Sequence, residues 1–425
     1  MRRKWQRVLK STLLQNAGWM MAGQVASLLF QALYFVVLAR LLGAVQYGVF
    51  VGAFSFTSLL ANYSTLGSGT VFLRYVSGNR SAFAPYWGNI LLLAFGIGGA
   101  LSVVLHWLAP HLLNPASASL VLLAGIANCL CQPLTMEIGR IFQAFEQLRI
   151  TAALTVLTSF MRALAAVAML LLLHHASAWQ WAVASTIVSV LAAAAAALTV
   201  TVRFGWPTLS KKIITDHGLE GFGYSFAAST SSVYNDIDKT MLSHYGMNSA
   251  NGIYAMAYRV VDIATMPVTS IQAAALSQFF QLGRSGLKAT RELSNRLLRR
   301  ALPLSLLSAV AMFATAPLIP RIFGQGFAES ATALRWLCLI PVFRSMHLMT
   351  GCALTGAGKQ NYRTLAQITA AAFNFGLNLW LIPNYGWRGA AWSSLATDAA
   401  LGVLNWQILQ VLTKKSITHE FIPAS

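Results

Sequence analysis

Apolar stretches recur along the whole chain, each about 20 residues long and closed by a short polar turn, the length a helix needs to cross a bilayer. The pattern predicts twelve spans, roughly 13–38, 46–68, 84–108, 117–139, 150–173, 178–201, 220–244, 251–279, 300–320, 329–354, 362–383 and 388–411. Pro133, Pro267, Pro303 and Pro341 fall inside them. Each removes a backbone hydrogen bond and permits a bend. The expected fold is therefore an all-α polytopic membrane protein of twelve transmembrane helices.

Composition agrees with the pattern. Of 425 residues, 56% are hydrophobic and 10% charged, against about 25% charged in a soluble domain. The formal net charge of +19 would suggest nucleic acid in a soluble protein. Here 22 of the 30 Lys and Arg sit in segments on the amino-terminal side of the membrane, three on the opposite side and five at membrane depth. Such asymmetry places both termini in the cytoplasm and makes anionic lipid headgroups, not nucleic acid, the partner of the surface charge. The start, MRRKWQRVLK, reads as a cytoplasmic flank and not as a cleavable signal.

Cys129, Cys131, Cys338 and Cys352 all lie in apolar spans and read as packing residues. The eight histidines are scattered without metal-binding spacing, and no GxxxxGK[ST] loop occurs. No metal or cofactor is expected. The longest extracytoplasmic loop is about ten residues, which leaves no room for a catalytic domain and no catalytic residues to assign. The cytoplasmic stretch 284–300, RSGLKATRELSNRLLRR, spaces Leu287, Leu293, Leu297 and Leu298 against basic positions. It reads either as an amphipathic helix on an anionic leaflet or as a solvated connector.

A weak internal repeat runs beneath the spans. GVFVGAF (48–54) matches GIYAMAY (252–258), AFEQ (144–147) corresponds to GAGK (356–359), and Trp179 to Trp387. Offsets of 204 to 212 residues in a common order indicate a duplicated six-span unit. The expected lobes are residues 1–205 and 206–425, related by an axis along the membrane normal, with a cavity between them and a hinge near 202–219.

Charges inside apolar spans are expensive in lipid and mark cavities or internal pairs. Arg162, Lys239, Arg259 and Arg344 are expected to line a basic cavity for an anionic substrate, with Arg74 at the cytoplasmic end of the second span. Arg335 can snorkel to the interface. Arg259–Asp262 and Asp236–Lys239 are three residues apart and can pair on one helical face, whereas Asp238 turns away from Asp236. Asp238, Asp398 and Asp262 are candidates for coupling to an ion gradient. The alternative for all of these groups is internal ion pairing that fixes helix packing.

The chain resembles the Wzx-type oligosaccharide flippases of the multidrug/oligosaccharidyl-lipid/polysaccharide exporter superfamily. The resemblance rests on LARLLGAVQYGVF (38–50), SGTVFLRYVS (68–77) and DIDKTMLSHYGMNSANGIYAMAYRV (236–260). These carry the Arg40 turn, Arg74, the Asp238-Lys239 pair and the Gly252-to-Arg259 opening of the eighth span. The chain departs from the family at Ala44-Val45-Gln46-Tyr47-Gly48, where an acidic Pro-Glu-Glu-Tyr-Gly is usual. The resemblance implies two six-helix lobes forming a V that opens alternately to each side of a bacterial inner membrane. It also implies an undecaprenyl-diphosphate-linked oligosaccharide as substrate, with a polysaccharide polymerase and a chain-length regulator as partners. Arginine forms strong charge-assisted bonds to phosphate, so a basic cavity suits a diphosphate. A cation-coupled multidrug exporter of the same fold, and a membrane polymerase or glycosyltransferase, remain as alternatives.

Overall fold

The computed structural model describes residues 2–76 and 79–420. Among them the chain is helical and carries no strand. The side chains of the amino-terminal basic flank lie outside the described residues. Contacts divide the chain into two compact units, residues 1–232 and 233–425.

Unit 1 begins with α1 (Arg2–Ala61), followed by α2 (Ser68–Val76), α3 (Phe83–Leu93), α4 (Gly99–Leu112) and α5 (Pro115–Ala118). It continues with α6 (Val121–Gly125), α7 (Gln132–Ala144), α8 (Leu148–Leu173) and α9 (Ala178–Phe204). π-helical turns at Ala94–Gly98 and Ile126–Cys131 join α3 to α4 and α6 to α7. The next helix, α10 (Lys211–His244), contains the division between the units. Unit 2 adds α11 (Asn248–Gly283), α12 (Leu287–Thr315), α13 (Ile319–Phe323) and α14 (Ala328–Leu337). It ends with α15 (Ile340–Gly356), α16 (Gln360–Tyr385) and α17 (Trp387–Glu420).

Eight described helices are long and apolar enough to cross a bilayer, or nine if α14 and α15, bent by 47° at a short break, form one span. The expected twelve follows when local geometry is considered. The apolar part of α1 runs 44 residues, Gly18–Ala61, about twice a bilayer's need. It breaks at Gly43, whose φ of 65° and ψ of 174° interrupt the helix. Two further helices, α10 and α17, are 34 residues long but are diluted by the polar residues described below. Apolar side chains such as Val103, Trp107, Leu172, Val202, Leu307 and Val310 are exposed, as a surface bathed in hydrocarbon allows.

The duplication is written in the backbone. Left-handed residues close equivalent turns in both units: Gly43 and Gly246 before the GVFVGAF and GIYAMAY segments, Glu146 and Gly358 before α8 and α16, His174 and Gly386 after them. The helices between the last two pairs are both 26 residues long and start 212 residues apart. GVFVGAF and GIYAMAY occupy matching buried positions, and even their ring pairs repeat: Phe50–Phe54 centroids lie 5.2 Å apart and Tyr254–Tyr258 centroids 5.4 Å.

Two expectations change. Residues 287–300 are not a separate surface helix. They are the first turns of α12, and Leu287 and Leu293 pack into the unit 2 core beside Phe279, Cys352 and Leu354. The segment 202–219 is mostly helix. Its connector, residues 205–210, is tied to unit 1: Asn89 donates to the Ser210 carbonyl at 2.8 Å, the Ser210 amide donates to Asn89 Oδ1 at 3.2 Å, and the Thr208 amide donates to the Ala84 carbonyl. The lobes expected at 1–205 and 206–425 and the compact units differ over residues 206–232, the connector and the larger part of α10. The departure at Gln46 also finds a role. Its Oε1 accepts the Ala178 amide at 2.9 Å, filling at the start of α9 a place where the helix dipole favours an acceptor.

Candidate functional site

Unit 2 holds a charged network on four helices. The turn at Gly246, with the Met247 amide donating to the Leu242 carbonyl, folds α11 back beside α10. Asp238, fully buried on α10, accepts from the Tyr254 hydroxyl of α11, from Ser394 of α17 at 3.0 Å and from the Lys239 amide at 2.7 Å. Three acceptor contacts replace the water that a carboxylate loses on burial.

Lys239 beside it is buried too. Its ammonium donates to Asp236 at 3.1 Å and to the Asn235 carbonyl, lies 3.9 Å from Asp238, and sits 4.7 Å above the Tyr258 ring. Arg344 of α15 approaches the same ring from 5.3 Å and donates to the Tyr258 hydroxyl at 2.8 Å and to Asp262 at 3.1 Å. Its Nε is 3.7 Å from Asp398 of α17. His347 Nε2 reaches 3.2 Å from Asp398 Oδ1, but neither atom meets hydrogen-bond geometry, so this contact is close packing of two polar groups. Asp262 is half-exposed. Arg344 lies nearer to it than Arg259, which is exposed and 3.9 Å away.

Sequence spacing explains the convergence. Tyr254, Tyr258 and Asp262 recur every four residues on α11, Arg344 and His347 are three apart on α15, and Ser394 and Asp398 four apart on α17. Each set shares one helical face. Four carboxylates, Asp236, Asp238, Asp262 and Asp398, meet three cations, Lys239, Arg259 and Arg344. The network is therefore charge-balanced to within one unit rather than simply basic.

Six of the eight expected site residues thus come together in unit 2: Asp238, Lys239, Arg259, Asp262, Arg344 and Asp398. The other two lie in unit 1, apart from one another. Arg74 is exposed and paired with Glu220 at 2.5 Å, an acid that also accepts from Tyr75 and Tyr224. Arg162 is half-buried, donates to Ser189 at 3.3 Å, and lines a cavity of about 520 Å³.

Sequence reasoning missed two groups. Tyr254 and Tyr258 read as scaffold, yet their hydroxyls hold Asp238 and Arg344. The available signal was the repeat, because the first-half positions are Phe50 and Phe54, without hydroxyls. Glu137 of α7 was also missed. It is buried, accepts from Thr65 at 2.7 Å and Arg140 at 2.9 Å, and borders a smaller polar cavity of about 110 Å³. Among the described residues no group of three or more His, Cys, Asp or Glu is placed to hold a metal ion.

The Tyr258→Phe variant tests the network. It keeps the ring and both cation–π contacts but removes the acceptor for Arg344. The expected loss is about 1.5–3 kcal/mol, read as a lowered unfolding midpoint in detergent. An unchanged midpoint would assign Tyr258 to packing alone.

A family model described as "Polysaccharide biosynthesis protein" matches residues 13–280. No curated protein sequence matches the chain. Among solved structures, an inward-facing multidrug resistance MATE family transporter of the MOP superfamily superposes with a TM-score of 0.73 at 15% identity, covering 92% of this chain and 96% of that one. The lipid II flippase MurJ in an inward closed conformation gives 0.72 at 13% identity, over 92% and 87%. A MOP superfamily transporter from Pyrococcus furiosus gives 0.60 at 14% identity, over 95% of each chain. These likenesses establish the fold expected from the spans.

Proposed function

The chain belongs to the polysaccharide biosynthesis protein family, and from that premise we propose that it is a flippase for lipid-linked oligosaccharide. In this reading it moves undecaprenyl-diphosphate-linked repeat units from the cytoplasmic to the periplasmic leaflet of a bacterial inner membrane. Lobes 1–205 and 206–425 alternate access through a cavity whose cations, paired with carboxylates at rest, take the substrate's diphosphate, with both termini cytoplasmic. The product feeds a surface polymer such as the O-antigen of lipopolysaccharide, through a polymerase and a chain-length regulator. The likeness in fold to the lipid II flippase supports a lipid-linked substrate.

The observation that carries the proposal is the position of Asp262. It is half-exposed and sits 3.1 Å from Arg344 and 3.9 Å from Arg259. A carboxylate held between two cations at the accessible rim of a buried network is an exchangeable anion. A substrate diphosphate takes its place on Arg259 and Arg344, gaining charge-assisted bonds to both guanidiniums. When the diphosphate leaves, Asp262 returns and no cation is stranded. Lys239, held through Tyr258, supports the same anion. Arg162 and Arg74 are proposed as further contacts along the substrate's route.

The buried carboxylates Asp238 and Asp398 favour a second element, coupling to a cation gradient, with Asp262 as the third candidate. A cation-coupled drug exporter of the same fold is the alternative reading on that ground.

The test is complementation of a strain lacking the gene, scored for surface polysaccharide. Arg259→Ala and Lys239→Ala are expected to abolish polymer display while protein still reaches the membrane. Full display with either variant would remove that residue from substrate handling. Drug efflux without any effect on polymer would move the protein to the exporter reading.

A further inference from the structure

One face of α8 carries Thr151, Thr155, Thr158 and Arg162, spaced four, three and four residues apart, in a span whose other polar residues are Arg149 at its start and Ser159, which is bonded to Ser27. Such spacing is a single stripe along the helix, about 17 Å from first to last. All four residues line the unit 1 cavity of about 520 Å³, whose walls come from α1, α7, α8 and α9. That volume lies in the range of small-molecule sites.

The hydrogen-bond polarity of the stripe is defined. Thr155 and Thr158 donate to the carbonyls of Thr151 and Leu154, both at 2.9 Å, and Thr135 across the cavity donates to the Cys131 carbonyl at 2.8 Å. Their protons are used, so their oxygens remain as acceptors. Gln132 and Gln143 on α7 add amides that both donate and accept. Acceptors in a row with a few amides suit a ligand rich in hydroxyl donors.

Charge narrows the ligand. Arg140 on the cavity wall is paired with Glu137 at 2.9 Å. Arg162 donates to Ser189, and among the described residues no carboxylate pairs with it. One uncompensated positive charge therefore stands at one end of the hydroxyl ladder, matching a monoanion better than a diphosphate.

We propose that this cavity is a subsite for an acidic sugar of the transported glycan, its hydroxyls taken by the threonine ladder and its carboxylate by Arg162. The proposal rests on the flippase reading above and specifies which glycan chemistry unit 1 selects. A guanidinium binds a carboxylate bidentately, so the sugar is oriented as well as attracted.

The experiment uses the full chain in nanodiscs and three probes: an undecaprenyl-diphosphate-linked disaccharide ending in glucuronate, the same lipid ending in glucuronamide, and undecaprenyl diphosphate alone. The glucuronate lipid is expected to bind about tenfold or more tighter than the amide. Arg162→Gln should bind both at the amide's affinity, Arg162→Lys should keep part of the preference, and Thr155→Val with Thr158→Val should weaken both sugars alike. Equal affinity of the unmodified protein for acid and amide overturns the proposal without any variant. Weakened binding of undecaprenyl diphosphate alone by Arg162→Gln overturns it too, because Arg162 would then serve the carrier's phosphates. If the unmodified protein binds none of the three lipids, the flippase reading fails with it. Binding of the lipids without discrimination sinks the sugar subsite alone.

Discussion

The Asp398→Ala variant is expected to be the most destabilised single substitution in the unit 2 network, by about 3–5 kcal/mol. Asp398 is buried and faces Arg344 at 3.7 Å and His347 at 3.2 Å. Alanine leaves Arg344 with Asp262 as its remaining carboxylate, and that residue is half-exposed, so the pair weakens as water screens it. The guanidinium cannot shed its proton to escape. Asp398→Asn keeps the volume and one acceptor and should lose roughly half as much. The paired variant Arg344→Met with Asp398→Leu removes both charges together. It should recover most of the loss, since a buried ion pair replaced by apolar groups is often neutral. Unfolding in detergent of the unmodified protein, Arg344→Met, Asp398→Leu and the paired variant closes a double-mutant cycle. A coupling near zero would mean that Asp398 acts apart from Arg344. Transport separates structure from coupling: if Asp398 carries the coupling ion, Asp398→Asn stays folded but moves no substrate, and full activity would exclude that role.

Much of this network was legible because lipid makes charge conspicuous. Asp238, Lys239, Asp262, Arg344 and Asp398 stand out in apolar runs, and hydropathy alone singles them out. Their pairing was only partly readable. Asp236–Lys239 follows from spacing along one helix, and the structure has it at 3.1 Å. Spacing also offered Arg259–Asp262, yet the nearer partner of Asp262 is Arg344, 82 residues away in sequence. Nothing local encodes that contact.

The tyrosines show a different limit. An aromatic residue in a membrane span is expected whether or not its hydroxyl works, so Tyr254 and Tyr258 carried no signal on their own. Only the comparison with Phe50 and Phe54 in the first half exposes them. α10 and α17 have the length of spans but are less apolar than the eight helices above. The reason they are poor in hydropathy is that they bring Asp238, Ser394 and Asp398 to the network. The π-helical turns at Ala94–Gly98 and Ile126–Cys131 had no sequence signature at all, because an extra residue in a helical turn is decided by what packs against it. Gly98 sits so close to the Cys129 carbonyl that a Cβ would stand 2.3 Å from it.

Unit 1 supplies the second large effect, at a glycine that hydropathy passes over. Alanine normally stabilises a helix over glycine by up to about 1 kcal/mol. Gly69 on α2 should reverse that sign. A Cβ there would lie 1.5 Å from Glu137 Oε2 and 2.6 Å from its carboxyl carbon. The carboxylate must leave a site where it accepts from Thr65 and Arg140, and Arg140 loses its partner. Gly69→Ala is therefore expected to destabilise by about 3–5 kcal/mol. Gly218→Ala, in α10 with nothing within 4 Å of the added carbon, is the matched control and should be neutral or slightly stabilising. Crowding and polarity separate in the combination. Glu137→Ala alone strands Arg140 and Thr65, but it also makes room at position 69. Gly69→Ala added to Glu137→Ala should then contribute little further loss, so the double variant falls well short of the sum of the singles. Additive losses would mean that Gly69 is needed for something other than the Glu137 carboxylate, with the backbone approach of α2 to α7 as the remaining cause.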